Sequence, residues 1–460
     1  MNIKAENKDK KLEFNFTQQY LDNFVQIIQR QDADSVNSEL RNLHPSDSAE
    51  IISNLPDQRR EDLFKIINFK IDPKIMIELT DELQREILAI LDITKIKSLI
   101  IDLESDNAVH IVENIESKKR DEVLNILSEK DKEFFIKTLN IYYENSAGRI
   151  MQTEFASVPQ DWTVGQTIDY LRETKDLPSE FISVFIVNES DNPVGSVTSS
   201  RVLRTSRDTK MKSIMTDNKF LIPADMDQED VAYNFETYNM VSAGVIDNNN
   251  KLIGMITADD IVTILKEETE EDTLRLAGVS EEDISDTAIE ITKKRFIWLT
   301  LNLITAIIAS LVIGLFDKNI EKVVALAILM PIVASMGGNA ATQTLTVTVR
   351  LLATKDLIAS NIKKIISKEF LVGFFNGVIF AIITAIVIYF WFNDKNLSVL
   401  ISFAMIINMS IAGLFGILIP IVLNKFKIDP AIASSVFVTT ITDVIGFLSF
   451  LGLASFILGI

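Results

Sequence analysis

The sequence predicts a multidomain membrane protein. An all-α superhelical N-terminal domain is expected over 1–148, an α/β domain of two repeated modules over 149–265 (149–210 and 211–265), a connecting helix over 266–295, and a five-helix transmembrane domain over 296–460. Three observations carry this reading. Five long apolar stretches follow one another after Arg295. Residues 149–265 repeat internally, and residues from about Leu12 to Ser146 carry apolar side chains at three- and four-residue steps. A chain of 460 residues is long enough for two to three domains at ~150 residues each.

The N-terminal region is read from its periodicity. Leu63, Ile66 and Ile67, then Ile87, Leu88 and Leu91, then Leu99, Ile100 and Leu103 form apolar stripes that each need a covering neighbour. Turn-like stretches at His44-Pro45-Ser46-Asp47, Leu55-Pro56-Asp57 and Ile71-Asp72-Pro73 separate them. Short helices stacked into a curved bundle satisfy this pattern, and by itself it reads as a docking scaffold with a solvated acidic surface.

In the next region Arg149-Ile150-Met151 is echoed by Ser213-Ile214-Met215, and Gly195-Ser196-Val197-Thr198 by Gly254-Met255-Ile256-Thr257. The offsets are 64 and 59, so the first copy is five residues longer, and the excess is expected near Lys175 to Ser179. Each copy reads as a helical segment, two short strands such as Ser183 to Val187 and Val241 to Ile246, a turn and a closing helix. The pattern resembles a pair of CBS modules, which commonly dimerise and often bind adenine nucleotides such as ATP. Those modules usually hold the ribose with an aspartate three residues after the Thr of the second strand. Asp260 fits, and Arg201 stands there in the first copy, so nucleotide binding is expected at one site at most; a purely structural pair remains the alternative.

Charge is distributed unevenly. The chain carries 45 Lys+Arg and 64 Asp+Glu, a net charge of −19, which argues against nucleic acid as a partner. Residues 296–460 hold 10 Lys+Arg and 7 Asp+Glu, leaving 35 and 57 for 1–295, so the net charges are +3 and −22. The absence of cysteine excludes disulfides, thiolate metal sites and cysteine nucleophiles. Two histidines, His44 and His110, leave little room for a histidine-ligated zinc centre. No nucleophile–base set, P-loop or metal-hydrolase spacing appears, so no enzyme is expected. The chain opens without a charged segment followed by an apolar core, so no secretory signal is expected.

The five apolar stretches run approximately from Phe296 to Phe316, Val323 to Leu352, Phe370 to Phe392, Leu397 to Leu423 and Pro430 to Leu458. Each is long enough for ~30 Å of hydrocarbon. Ten Lys and Arg lie in or before the loops on one side (Lys293, Lys294, Arg295, Arg350, Lys355, Lys363, Lys364, Lys368, Lys425 and Lys427), against Lys318, Lys322 and Lys395 on the other. Cytoplasmic loops carry the excess of basic residues, so the N-terminus is expected in the cytoplasm and, after five spans, the C-terminus outside the cell (inner) membrane.

Two spans carry chemistry. In the second, Met330 to Thr344 contains Pro331 and the Gly337-Gly338 pair, which are expected to free backbone carbonyls at membrane depth. Asn339 and Gln343 are four apart and project from one face, with Thr342 and Thr346 on a neighbouring one. Helix packing through small residues explains the threonines equally well. In the fifth span Asp443 lies near the midpoint, where a carboxylate costs ~2.5 to 3.5 kcal/mol on insertion scales. Thr439 and Thr440 precede it by one turn. Apart from Arg350 at the very end of the second, no Lys, Arg or His lies inside the five stretches to neutralise it. A cation is the expected counter-charge, with a proton on a neutral acid as the alternative. Oxygen donors without sulfur or imidazole suit Mg2+, Ca2+ or Mn2+, and Mg2+, which keeps several waters, needs few carboxylates.

The chain is similar to the MgtE family of bacterial magnesium channels. The resemblance covers the order of parts over nearly the whole length, and rests most specifically on Glu144-Asn145-Ser146-Ala147-Gly148-Arg149-Ile150-Met151, on Pro331 to Thr344 and on Thr439-Thr440-Ile441-Thr442-Asp443. It implies a homodimer with a central pore, Mg2+ as both transported and regulatory ion, and a gate closed by high cytoplasmic Mg2+. Asp443 is then the pore ion site, Gly337, Gly338 and Asn339 pack beside the filter with Gln343, Thr439 and Thr440, and Asp429 matches an acidic position at the cytoplasmic mouth. The regulatory candidates implied are Asp106, Asp227, Asp260, Glu268, Glu271 and Asp272. His110 and Thr263 stand where relatives tend to carry acids, with Asp259 or Glu113 as substitutes, and Ala341 stands where many carry glycine. Lys266 to Arg295, rich in Glu267, Glu268, Glu270, Glu271 and Asp272, is expected to couple sensor to pore by charge repulsion relieved by divalent ions. The alternative function is a proton- or sodium-coupled divalent-cation carrier that uses Asp443 as its coupling site.

Overall fold

The computed structural model describes residues 17–459 apart from 69, 175–176, 179–180, 218–220, 280–287 and 359, with the side chains of 217, 290 and 432–435 set aside. The chain forms two compact units, Met1–Leu265 and Lys266–Ile460.

Among the described residues the first unit opens with ten short helices, from α1 (Gln18–Gln29) to α10 (Glu129–Ile141). The prolines that read as turns start helices instead. Pro45 is the first residue of α3 (Pro45–Asn54), Pro73 that of α5 (Pro73–Ile77), and Pro56 precedes α4 (Asp57–Ile66). The first helical turn leaves its amides unpaired in any case, and proline already has a helical φ. His44 and Asp72 cap by accepting hydrogen bonds from the N–H groups of Ser46 and Lys74. The expected stripes form one core: Leu63, Ile67, Ile87, Leu88, Leu91, Leu99 and Ile100 are buried together, with Ile66 and Leu103 packed against them.

After α11 (Ala147–Ile150) come two α/β modules. The first has β1 (Ser157–Pro159), α12 (Val164–Glu173), β2 (Ser183–Val187), β3 (Pro193–Thr198) and α13 (Ser199–Arg204). After α14 (Met211–Ile214) and β4 (Thr216–Asp217), the second has β5 (Ile222–Pro223), α15 (Gln228–Tyr238), β6 (Ser242–Ile246) and β7 (Leu252–Thr257). The sheets match in register: β2 pairs antiparallel with β3 from Ser183–Thr198, and β6 with β7 from Ser242–Thr257. The repeated motifs turn out to be partners across the copies. A Cβ on Gly254 would lie 2.7 Å from Sδ of Met151, and one on Gly195 would lie 2.9 Å from Sδ of Met215. Each copy's glycine thus makes room for the other copy's Ile-Met segment. Of the stretch expected to hold the extra residues of the first copy, 175–176 and 179 lie outside the described residues.

α16 (Ala258–Leu276) runs unbroken from the second module into the acidic segment. No Gly or Pro interrupts it until Gly278, whose φ of +70° stops the helix. The connecting segment is therefore not a separate element. Its residues 280–287 lie outside the described residues, and from Ala288 it belongs to α17 (Ala288–Gly314).

The second unit continues with α18 (Asp317–Lys322), α19 (Ala325–Ala353), α20 (Ile362–Phe392), α21 (Lys395–Lys425) and α22 (Pro430–Leu458). Among the described residues five helices are long and apolar enough to cross a membrane. α20 starts eight residues before the expected limit, because Lys363, Lys364, Lys368 and Glu369 are helical. α19 is continuous through Pro331 and the glycine pair, so the expected break near the glycines is absent. Proline removes one N–H, which costs a single backbone bond, and Gly337 is used for close packing. A Cβ there would lie 2.1 Å from Nδ2 of Asn408. Asn408, fully buried on α21, donates to the carbonyl of Val333 at 2.8 Å and also lies against Gly446 of α22. This amide thereby ties α19, α21 and α22 together.

Candidate ion sites

Asp443 is the fourteenth of the 29 residues of α22 and is half-buried. Among the described residues no basic group pairs with its carboxylate and no donor bonds to it. The neighbouring hydroxyls turn to their own helix: Thr439 donates to the Val436 carbonyl at 3.1 Å, Thr440 to the same carbonyl, and buried Thr442 to the Thr439 carbonyl at 2.9 Å. Their oxygens keep lone pairs, and their protons are already placed.

On α19, Gly337 faces Asn408, whereas a Cβ on Gly338 would meet nothing within 4 Å. Asn339 and Gln343 do share one face, and both line a cavity of about 510 Å³ between α19, α20 and α21. Asp443 is not among its lining residues; Glu369 and Asn376 of α20 are. Sequence reasoning missed Glu369 because the third span was taken to begin at Phe370, just past a cluster of charges. It also missed Asn408, although a lone amide inside an apolar run is itself a signal.

A second group of acids gathers where α16 meets α22. Asp429 caps α22 by accepting from the N–H of Ala431 at 2.7 Å. The Arg275 guanidinium pairs with both Asp429 and Glu271. Burial pushes the Asp272 carboxyl up to about 6, with Asp429 and Glu268 adding repulsion. Leu276 packs with Leu345, Val349 and Ala431, which anchors this end of α16 to α19 and α22. Glu268, Glu271, Asp272 and Asp429 thus share one locality with Arg275.

In the first unit, Asp106 lies in the first turn of α8 (Ser105–Glu113) with one oxygen buried and unbonded. Burial pushes it up to about 7, and Asp260 and Glu104 add to the rise. Asp260, at the start of α16, accepts from the Thr257 hydroxyl at 2.6 Å and from its N–H at 3.2 Å, while burial and Asp259 raise it. Burial raises Glu104 as well, with Glu154, Asp260 and Asp259 contributing. The helical domain and the second module therefore bring their carboxylates together here. Asp227 instead caps α15, accepting from the N–H of Glu229 at 2.9 Å. His110 bonds Asp81 at 2.9 Å within the helical domain, Glu113 is paired with Arg149 at 2.6 Å, and Thr263 is exposed. Among the described residues no three His, Asp or Glu side chains converge closely enough to hold a bare metal ion. An ion that keeps its waters does not require such convergence.

Among the described residues, five long apolar helices following a unit with paired α/β modules define a multi-spanning membrane protein. Family profiles extend this. One described as "Divalent cation transporter" matches residues 330–453, "MgtE intracellular N domain" matches 43–145, and "CBS domain" matches 147–208 and 211–267. The magnesium transporter MgtE of Enterococcus faecalis is 31% identical over 320 residues, covering 70% of this chain and 71% of the relative. That of Bacillus subtilis is 28% identical over 414 residues, covering 90% and 92%. That of Thermus thermophilus is 27% identical over 328 residues, covering 70% and 72%. A crystal structure of the cytosolic domain of the Mg2+ channel MgtE in complex with ATP is 20% identical, covers 53% of this chain and 99% of that one, and has a TM-score of 0.49. The chain belongs to the MgtE family of magnesium transporters. It is a membrane protein with five spans and an intracellular N domain, and a transporter, not an enzyme.

Proposed function

We propose that the chain works as a homodimer that conducts Mg2+ past Asp443 and is closed by cytoplasmic Mg2+. The observation that carries this is the half-buried carboxylate in mid-α22 with no ionic partner among the described residues. A group so placed needs a cation, and a two-fold axis doubles the charge to two carboxylates for one hydrated ion. Gly338, Thr439 and Thr440 supply the surrounding oxygens in this reading.

Closure follows from the two acidic localities. Burial first and neighbouring carboxylates second make the Asp106, Glu104 and Asp260 carboxyls resist ionising, and so does that of Asp272 beside Asp429 and Glu268. At ~8 Å screening in physiological salt only such close groups matter. Mg2+ bound between them relieves the repulsion and favours the compact, closed form, and it shifts the equilibrium only by its preference for that form. Arg275 supplies part of the same neutralisation from within the chain. Glu271, paired with Arg275, lies at the edge of the second locality, and Asp227 stays a regulatory candidate by the family resemblance alone.

Mg2+ flux into liposomes tests the reading. Current down a Mg2+ gradient without a pH or sodium gradient supports a channel, whereas strict dependence on either supports a coupled carrier. A single cysteine introduced near either end of this cysteine-free chain, labelled by an impermeant thiol reagent, tests the cytoplasmic N-terminus and external C-terminus. ATP titrated into wild-type protein and Asp260→Asn tests nucleotide binding at the second module; equal affinity would exclude Asp260 as a ribose ligand.

A further inference from the structure

The membrane unit carries a second acid that conduction past Asp443 does not use. Glu369 is the eighth residue of α20, inside a helix long enough to span a membrane. It opens into the cavity of about 510 Å³ that also receives Asn339, Gln343 and Asn376. Thr344, which is 7% exposed, donates to its Oε2 at 3.5 Å, a long and weak bond. The helical neighbours three and four residues away are Ile365, Ile366, Val372 and Gly373, none of them basic. Among the described residues no Lys, Arg or His pairs with Glu369.

A proton would satisfy the charge and leave the three amides without a purpose. Space and chemistry together favour a larger guest. Six waters at ~30 Å³ each occupy roughly 200 Å³, so a hexahydrated divalent ion fits within the cavity with room to spare. Amide oxygens accept hydrogen bonds from such waters, and one carboxylate is as much charge as a water-retaining ion requires. We propose that this cavity is a second divalent-cation site in each chain, with Glu369 as its charged ligand and Asn339, Gln343 and Asn376 holding the hydration shell. The site lies toward the end of α20 that carries Lys363, Lys364 and Lys368, and it does not depend on the role given to Asp443.

The test uses crystals of the full chain soaked in Mn2+, read by anomalous diffraction. Wild-type protein is expected to show a peak within ~5 Å of the Glu369 carboxylate, the reach through one bound water. The peak should persist in Asp443→Asn and in Glu369→Asp, and vanish in Glu369→Gln. Flux of Mg2+ should fall several-fold in Glu369→Gln. An empty wild-type cavity beside a Mn2+ peak elsewhere, a cavity peak that survives Glu369→Gln, or elongated density from a lipid inserted there would overturn the proposal. Because the wild-type map alone decides occupancy, a variant that fails to fold does not protect the idea, and a missing peak at Asp443 would count separately against the pore assignment.

Discussion

Asp106→Asn isolates the electrostatic claim about the sensor. In the folded unit the carboxyl is pushed from the ordinary 3.8 to about 7, chiefly by burial, then by Asp260. At ~1.4 kcal/mol per pH unit, the ionised group costs the fold on the order of 4 kcal/mol once the pH exceeds 7. The sign follows from proton counting. Below about pH 4 the group is neutral folded or unfolded and no cost arises; between 4 and 7 only the folded form keeps its proton, and the penalty grows; above 7 it is constant. Asparagine keeps the shape, removes the charge and offers Asp260 or Glu104 a donor. In Mg2+-free buffer at pH 8, thermal unfolding of the variant should shift upward by about 8 °C, at ~2 °C per kcal/mol for a unit of this size. Its stability should vary less between pH 6 and 8 than that of wild type, and added Mg2+ should stabilise it less. A variant that melts lower than wild type at pH 8, with the same pH dependence, would refute the reasoning.

Three further substitutions probe the mouth and the packing. Arg275→Gln removes the positive charge paired with Glu271 and Asp429, so flux at low internal Mg2+ should rise and inhibition by Mg2+ should steepen; an unchanged inhibition curve in flux assays would contradict the role given to this arginine. Replacing Glu268, Glu271 and Asp272 together by neutral residues should raise flux at high internal Mg2+, and full inhibition in that variant would remove them from the sensor. Gly337→Ala puts a Cβ 2.1 Å from Asn408 and should cost ~1 to 3 kcal/mol in detergent unfolding, with Gly338→Ala, which meets nothing within 4 Å, nearly neutral. Equal effects at the two glycines would argue against the Asn408 contact.

Much of the architecture was legible because it rests on local repetition. The spans follow from runs of apolar residues, and the limits expected for the fifth, Pro430 to Leu458, are those of α22. The paired modules announce themselves by repeated motifs, although only the fold reveals that Gly254 faces Met151 and Gly195 faces Met215. Proline misled at Pro45 and Pro73, since a residue that breaks a helix interior also begins one. The sites were harder to read. Arg275 and Asp429 are 154 residues apart, and no spacing rule joins them. Glu369 was lost to a boundary drawn at the last charge, where hydropathy changes but the helix does not. Glu113 read as a spare ligand, and its partner Arg149 becomes visible only when α8 and α11 are packed.

The most direct measurement is Mg2+ flux into liposomes carrying Asp443→Ala, with correct insertion and the oligomeric state verified. The account expects flux to disappear while folding and assembly persist. Wild-type flux through a properly inserted Asp443→Ala protein would contradict it.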